Sequence, residues 1–151
     1  MSVSFLEGDL KYVYVAAGWF QPGSLERLEQ VEAVLNTCGL RLFSPRKELL
    51  FQPGKTTPKE VLDANMKALK KVDFCVAITD DKDVGMLVEV GICVALNVPL
   101  VLVWLTGAPD QKFNIMLAGA GRVARSLQEL SDIIMSGDLF TTDNKPGQQY
   151  E

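Results

Sequence analysis

Between Phe74 and Leu96 the chain passes from a short β-branched run, FCVAIT, through a loop rich in aspartate, into an apolar segment that starts at Met86. Of the eleven residues from Met86 to Leu96, nine are apolar, and the exceptions are Gly91 and a single acid, Glu89. Strand, loop and apolar helix in succession form the unit from which parallel sheets covered on both faces are built. The lone acid needs a reason, because an ionised carboxylate taken out of water is costly unless it is paired or hydrogen-bonded. If the helix opens at Gly85, Glu89 lies near its first turn, where free N–H groups and the helix dipole favour an anion. It is then buried yet charged, and serves either as a structural ion-pair partner or as a nucleophile or base.

The same unit recurs along the chain. Lys11 to Ala17, KYVYVAA, reads as a buried strand opening at Gly18 into a loop that carries Trp19 and Phe20, two rings that cover either a core edge or a ligand. Pro22-Gly23-Ser24 predicts a turn with Ser24 as N-cap of a helix whose stripe runs Leu25, Leu28, Val31, Val34, Leu35 and Cys38, ending at Gly39. Leu40 to Phe43 is a second strand, running into Ser44-Pro45-Arg46, and 47–56 reads as loop. Thr57-Pro58-Lys59-Glu60 opens a third-layer helix with a capping box, and Asn65 falls in the gap of its apolar stripe, so its amide points inward and needs partners. Pro99 to Leu105 is a fourth strand, Asn114 to Ala118 a short helix, Gly121 to Val123 an edge strand, and Ser126 to Glu129 a further capping box. From Gly137 the composition turns polar, as in a tail that frays on its own.

These elements predict one domain spanning 1–151: a flavodoxin-like or Rossmann-like doubly wound parallel sheet of about five strands in the order 2-1-3-4-5. Strands one and three then flank the topological switch point, and ligands of such sheets bind in the crevice beyond the strand ends there. Gly18-Trp19-Phe20 and the loop from Asp80 to Gly85 converge on it, with Glu89 and Asn65 beside them. The helix from Met86 to Leu96 has almost no polar face, which predicts a homo-oligomer, a twofold dimer or a multiple of one.

Composition narrows the chemistry. Hydrophobic residues make up 48% and charged ones 23%, which excludes a disordered chain, and a net charge of −4 gives no footprint for a nucleic-acid polymer. There is no leader-like N-terminus and no apolar run long enough to span a bilayer, so the expectation is a cytoplasmic protein without a membrane partner. Cys38, Cys75 and Cys93 read as reduced core residues, and with no histidine in the chain neither a metal site nor histidine-based catalysis is expected. No GxGxxG or Walker-type loop is present, so no dinucleotide or other cofactor is expected. Rings, acids and amides suit a planar heterocycle on a polar sugar. A carboxylate nucleophile with a second acid nearby is the arrangement of retaining glycosyl transfer.

Tyr14 through Gly18-Trp19-Phe20, then Phe43-Ser44-Pro45-Arg46, Asp83-Val84-Gly85 followed by Glu89-Val90-Gly91, and Asn114 to Leu117 together resemble the motifs of the nucleoside 2-deoxyribosyltransferases, over most of the chain. The resemblance implies transfer of a 2-deoxyribosyl group between a 2′-deoxynucleoside and a free nucleobase. Glu89 attacks C1′, Tyr14 positions it, and Asp83 contacts the base and assists its protonation. Gly18, Trp19, Phe20 and Asn65 line the substrate. Asn114 grips the sugar across a subunit boundary, and Tyr150, in the 137–151 tail, closes a neighbour's site in a dimer or a hexamer built from dimers. Asn65 stands where many members carry aspartate, Leu49 where glutamine often meets the base, and Glu151 follows the tyrosine that ends the chain elsewhere; the first two bear on base preference. The alternatives are a hydrolase of 2′-deoxynucleosides or their 5′-monophosphates, and a non-catalytic nucleotide-binding module in which Glu89 only pairs with a tyrosine.

Overall fold

Five short strands, β1 (Tyr12–Ala16), β2 (Arg41–Phe43), β3 (Phe74–Ile78), β4 (Leu100–Val103) and β5 (Arg122–Ala124), pair in parallel in the order β2-β1-β3-β4-β5. The computed structural model describes residues 11–48, 51–137, 139 and 147–151. Between the strands run α1 (Ser24–Thr37), α2 (Pro45–Glu48), α3 (Pro58–Leu69), α4 (Val84–Leu96) and α5 (Ile115–Ala120), and α6 (Leu127–Ser136) follows β5. The predicted fold class and strand order are those observed.

Alternation along the strands feeds two separate cores. Val13, Val15, Phe74, Val76, Val101 and Val103 pack against α1 and α6, while Tyr14, Ala16, Cys75, Ala77, Leu100 and Leu102 pack against α3, α4 and α5. Such runs, apolar at consecutive positions, are what a strand buried on both faces requires. The register sets Tyr14 beside Cys75 and Ala16 beside Ala77 across β1 and β3.

Helix starts follow the sequence closely, with one exception. Thr57 and Glu60 form the reciprocal capping box of α3, and Ser126 accepts from the Glu129 N–H to open α6. At α1 the cap is Gly23, in the left-handed region at φ +80°, and Ser24 is already helical, its hydroxyl donating to the Gln21 carbonyl. The Pro22-Gly23 turn needs positive φ, and glycine reaches it at least cost. The stretch predicted as loop from Lys47 opens inside a short helix, α2. Glu32 of α1, almost fully buried, holds that helix through Arg46 and Lys47, each at 2.9 Å. Leu49 lies outside the described residues.

Of the polar tail read as fraying on its own, residues 138 and 140–146 lie outside the described residues, and the last three are held by backbone hydrogen bonds. The Phe113 N–H donates to the Gln149 carbonyl, the Glu151 N–H to the Phe113 carbonyl and the Ile115 N–H to the Glu151 carbonyl, so 149–151 run beside the segment preceding α5. Arg125 fastens them further: its guanidinium lies 4.1 Å from the Trp104 ring centroid and donates to Gln148 Oε1 and to the carbonyls of Gly107 and Ala108. No helix among the described residues is long and apolar enough to cross a membrane.

Candidate functional site

The three aspartates that follow β3 have three different occupations. Asp80 turns toward the end of β4, where its Oδ2 accepts from the N–H groups of Leu105 and Thr106 and from the Thr106 hydroxyl, at 2.7–2.9 Å. Asp81 pairs with Arg27 of α1. Asp83 is the N-cap of α4, its Oδ2 accepting from the Met86 N–H at 2.9 Å. Asp80→Ala leaves the N–H groups of Leu105 and Thr106 without an acceptor, and a loss of about 2–3 kcal/mol in urea unfolding is expected, with Asp80→Asn intermediate. Equal stability of both variants with the parent would show that this latch contributes nothing.

Asp83 also meets the loop after β1. A Cβ on Gly18 would lie 2.6 Å from Asp83 Oδ1, so the backbone at Gly18 and this carboxylate are in direct contact, possible only because position 18 has no side chain. Gly18, Phe20, Gln21, Asp81, Lys82, Asp83 and Val84 enclose a cavity of about 210 Å³. Its wall carries an exposed ring, Phe20, whose centroid is 4.8 Å from that of Trp19. Trp19 itself packs on the core of the α1 and α6 face. Lys82 holds its backbone at φ +51°, in the left-handed region, between the two aspartates.

One and a half turns into α4, Glu89 comes down on the sheet at Tyr14. Tyr14 is fully buried, and its ring stacks on Phe43 with centroids 5.2 Å apart and planes 19° apart. Tyr14 Oη and Glu89 Oε2 are both enclosed, with no hydrogen bond of normal geometry to either among the described residues. They are nonetheless close enough to act on one another. Burial pushes the Glu89 carboxyl up to about 7; the Tyr14 hydroxyl opposes that rise and the Asp83 carboxylate adds to it. Burial and the facing Glu89 charge both drive the Tyr14 phenol upward, so it stays protonated and can only donate. A carboxylate of this kind is weakly solvated, basic for its type, and still ionised to a large extent at neutral pH.

The remaining predicted residues sit around this centre at different distances from the chemistry. On α3, which packs against α4, Asn65 keeps its Oδ1 enclosed without a partner, as its place in the stripe predicts. Asn114 is the N-cap of α5, with Oδ1 accepting from the N–H groups of Met116 and Leu117. Tyr150 is exposed, bridged to Phe113 next to Asn114. No hydrogen bond joins Asn114 or Tyr150 to Glu89 among the described residues. Arg27 and Arg125 were not legible as parts of this region, because the first pairs with an acid 54 residues away and the second acts through a ring and two carbonyls on another loop. Among the described residues no group of three or more acids or cysteines is placed to hold a metal ion.

A family model described as nucleoside 2-deoxyribosyltransferase matches residues 13–119, from β1 into α5, and so takes in Tyr14, Gly18, Asp83, Glu89 and Asn114. The chain belongs to the nucleoside 2-deoxyribosyltransferase family. No curated protein matches it significantly. Among solved structures it is similar to a 2-deoxyribosyltransferase from Bacillus psychrosaccharolyticus, with a TM-score of 0.69 at 22% identity over 80% of this chain and 90% of that one. A conserved protein from Enterococcus faecalis V583 gives 0.70 at 19% identity, covering 83% and 98%. A CMP N-glycosidase from Clostridium botulinum gives 0.57 at 15%, covering 81% and 96%. At these identities the likeness is one of fold, shared by a transferase, a protein described only as conserved, and a glycosidase.

Proposed function

We propose that this protein transfers a 2-deoxyribosyl group from one nucleobase to another through a covalent deoxyribosyl ester of Glu89. The observation that carries the reading is the half-buried Glu89 carboxylate, with Oε2 enclosed, the Tyr14 hydroxyl beside it, and a pKa that burial raises to about 7. In the first step Oε1 bonds to C1′, the C1′–N bond breaks, and its electron pair leaves with the base, which Asp83 helps to protonate. In the second step a nitrogen lone pair of the incoming base bonds to C1′, Glu89 departs as the carboxylate, and the proton the base gives up returns to Asp83. Two inversions give net retention. Tyr14 positions the nucleophile, Phe20 offers the base a ring to stack on, and Asn65 and Asn114 supply amide groups to the base and sugar.

The reading extends to the assembly. Leu87, Val88, Val94 and Leu96 are exposed along the outer face of α4, and Ile115 and Met116 are exposed where α5 begins. Apolar surface of that extent fits a second copy of the chain, with Asn114 and Tyr150 completing a neighbour's site across the boundary.

The deciding experiment is intact mass of the protein mixed with 2′-deoxynucleosides, the parent beside Glu89→Ala, followed by addition of a second base and chromatography. A deoxyribosyl adduct on the parent alone, with exchanged nucleoside released, is the expected outcome. Base release without exchange would make the protein a hydrolase. Against a 5′-monophosphate substrate stands the cavity wall, where Asp81 is taken up by Arg27 and Lys82 stands beside the Asp83 carboxylate. No adduct and no base release with any deoxynucleoside or its monophosphate would leave a binding module.

A further inference from the structure

Trp104, the residue after β4, is buried and gathers three segments around its ring. The Phe113 ring lies with its centroid 5.1 Å away, and the Arg125 guanidinium, at the end of β5, lies 4.1 Å from the Trp104 centroid. A Cβ on Gly107 would stand 2.3 Å from Trp104 Cε2, so the backbone of the loop after β4 is pressed against the indole edge. No step of the proposed reaction uses this stack. It nevertheless governs where the end of the chain lies.

A guanidinium carries its N–H groups in a rigid planar fork, and stacking on a ring leaves that fork free to bond in its own plane. Here Nη2 donates to the carbonyls of Gly107 and Ala108, at 2.8 and 3.0 Å, and Nη1 donates to Gln148 Oε1 at 2.7 Å. One side chain, anchored on a buried ring, thus joins the loop after β4 to the returning segment. Gln148 Nε2 then donates to the Gln149 carbonyl at 2.9 Å, and beyond it the bonds are between backbones. The Phe113 N–H meets the Gln149 carbonyl, the Glu151 N–H the Phe113 carbonyl and the Ile115 N–H the Glu151 carbonyl, at 2.9–3.0 Å. Two short extended segments paired by so few bonds are marginal in water by themselves. The side-chain anchor decides whether the pairing persists.

The pairing bears on two exposed residues. Phe113 is buried, Asn114 beside it is exposed, and Tyr150, bridged to Phe113 from the other segment, is exposed as well. Asn114 is fixed by capping α5, whereas the place of Tyr150 depends on the backbone bonds on either side of it. We propose that Arg125 is a positioning residue: stacked on Trp104, it holds 148–151 against 113–115, so that Asn114 and Tyr150 keep a fixed spacing and meet a neighbouring copy as one unit. The neighbour's share in this rests on the proposed function. A lysine at 125 would keep the charge but not the fork that reaches both Gln148 and the two carbonyls.

The first measurement is amide hydrogen exchange by NMR in the full chain, the parent beside Arg125→Ala. Exchange at Phe113, Ile115 and Glu151 is expected to quicken by about tenfold or more, while the amides of β3 and β4 stay within about twofold of the parent. No change at those three amides, or an equal change in the strands, would overturn the proposal. If Arg125→Ala fails to fold, as judged by circular dichroism, Gln148→Ala replaces it, since that variant keeps the Trp104 stack and both carbonyl bonds; about threefold faster exchange at the same amides is then expected. The second measurement is transfer at substrate well below KM. Arg125→Ala should lose about tenfold in kcat/KM, chiefly through KM, because Asn114 and Tyr150 hold substrate in the ground state as well as the transition state. Co-expressed in equal amounts with the inactive Glu89→Ala, it should recover about a quarter of the parent's rate if each site takes its Glu89 from one copy and its Asn114 and Tyr150 from another. A mixture at about a twentieth would mean that Arg125 serves only its own subunit, and would overturn the neighbour's share. An inactive parent would count against the proposed function, and the exchange pattern alone would then decide the role of Arg125.

Discussion

Glu89→Gln is expected to abolish deoxyribosyl exchange and, at the same time, to stabilise the protein above neutral pH. The amide has the shape of the acid and no nucleophilic charge, so the rate should fall by roughly 10⁴-fold or more, with no adduct in the mass spectrum. Stability moves the other way for an electrostatic reason. The Glu89 carboxyl titrates near 7 in the folded chain against 4.5 for the unperturbed group, so between those values the folded state holds a proton that the unfolded state has released. Stability from this group is therefore fully present below the lower value and is lost as pH rises to the upper one. Gln carries no such dependence, and above pH 8 the variant should exceed the parent by about 1–3 kcal/mol, a gain that fades toward pH 5. Urea unfolding at pH 5 and pH 8.5 measures it, and a difference that is the same at both would show that Glu89 is not an enclosed charge. The parent's transfer rate should climb through pH 7 for the same cause, as the nucleophile ionises.

Gly18→Ala is the second large effect. The residue does not need glycine for its backbone angles; it needs it for space, since an added methyl would stand 2.6 Å from Asp83 Oδ1 and 2.9 Å from Asp83 Cβ. Asp83 has to move, and with it goes the bond to the Met86 N–H that opens α4. Loss of that cap costs about 1 kcal/mol. The cavity that Gly18, Phe20 and Asp83 share is reshaped, and transfer should fall by about 10²-fold. A double-mutant cycle separates the two consequences: in Asp83→Gly, which removes the Cβ as well as the carboxylate, the Gly18 methyl has room, so its cost in stability should vanish while activity stays low. An undiminished cost in that background would mean that Gly18 is constrained by something other than the aspartate.

Much of this site could be read from single residues. Glu89 stood out because a lone acid in an apolar helix has few innocent explanations, and Asn65 because an amide in an apolar stripe must find a partner or a ligand. The loops of β1 and β3 could be brought together from strand order alone, since parallel crossovers and a doubly wound sheet leave one crevice for them. What stayed hidden were pairings between groups far apart in the chain. Three aspartates within four positions looked like one acidic loop, yet Asp80 holds the β4 loop, Asp81 pairs with Arg27 at the cavity wall, and Asp83 caps α4 against Gly18. Trp19 and Phe20 are adjacent and chemically alike, and the turn after Gly18 sends one to the core and the other to the cavity.

Local rules of the chain thus determined the elements, their caps and their order. Periodicity, glycine, proline and capping residues act over a few positions, and a parallel sheet with right-handed crossovers has little freedom once they are placed. Only the folded chain decided what each buried polar group meets. That Tyr14 meets Glu89, and that the last three residues return to Phe113, depend on contacts between segments far apart in the chain. Those contacts are set by how two cores close on one sheet, a property of the whole chain that no segment of it carries.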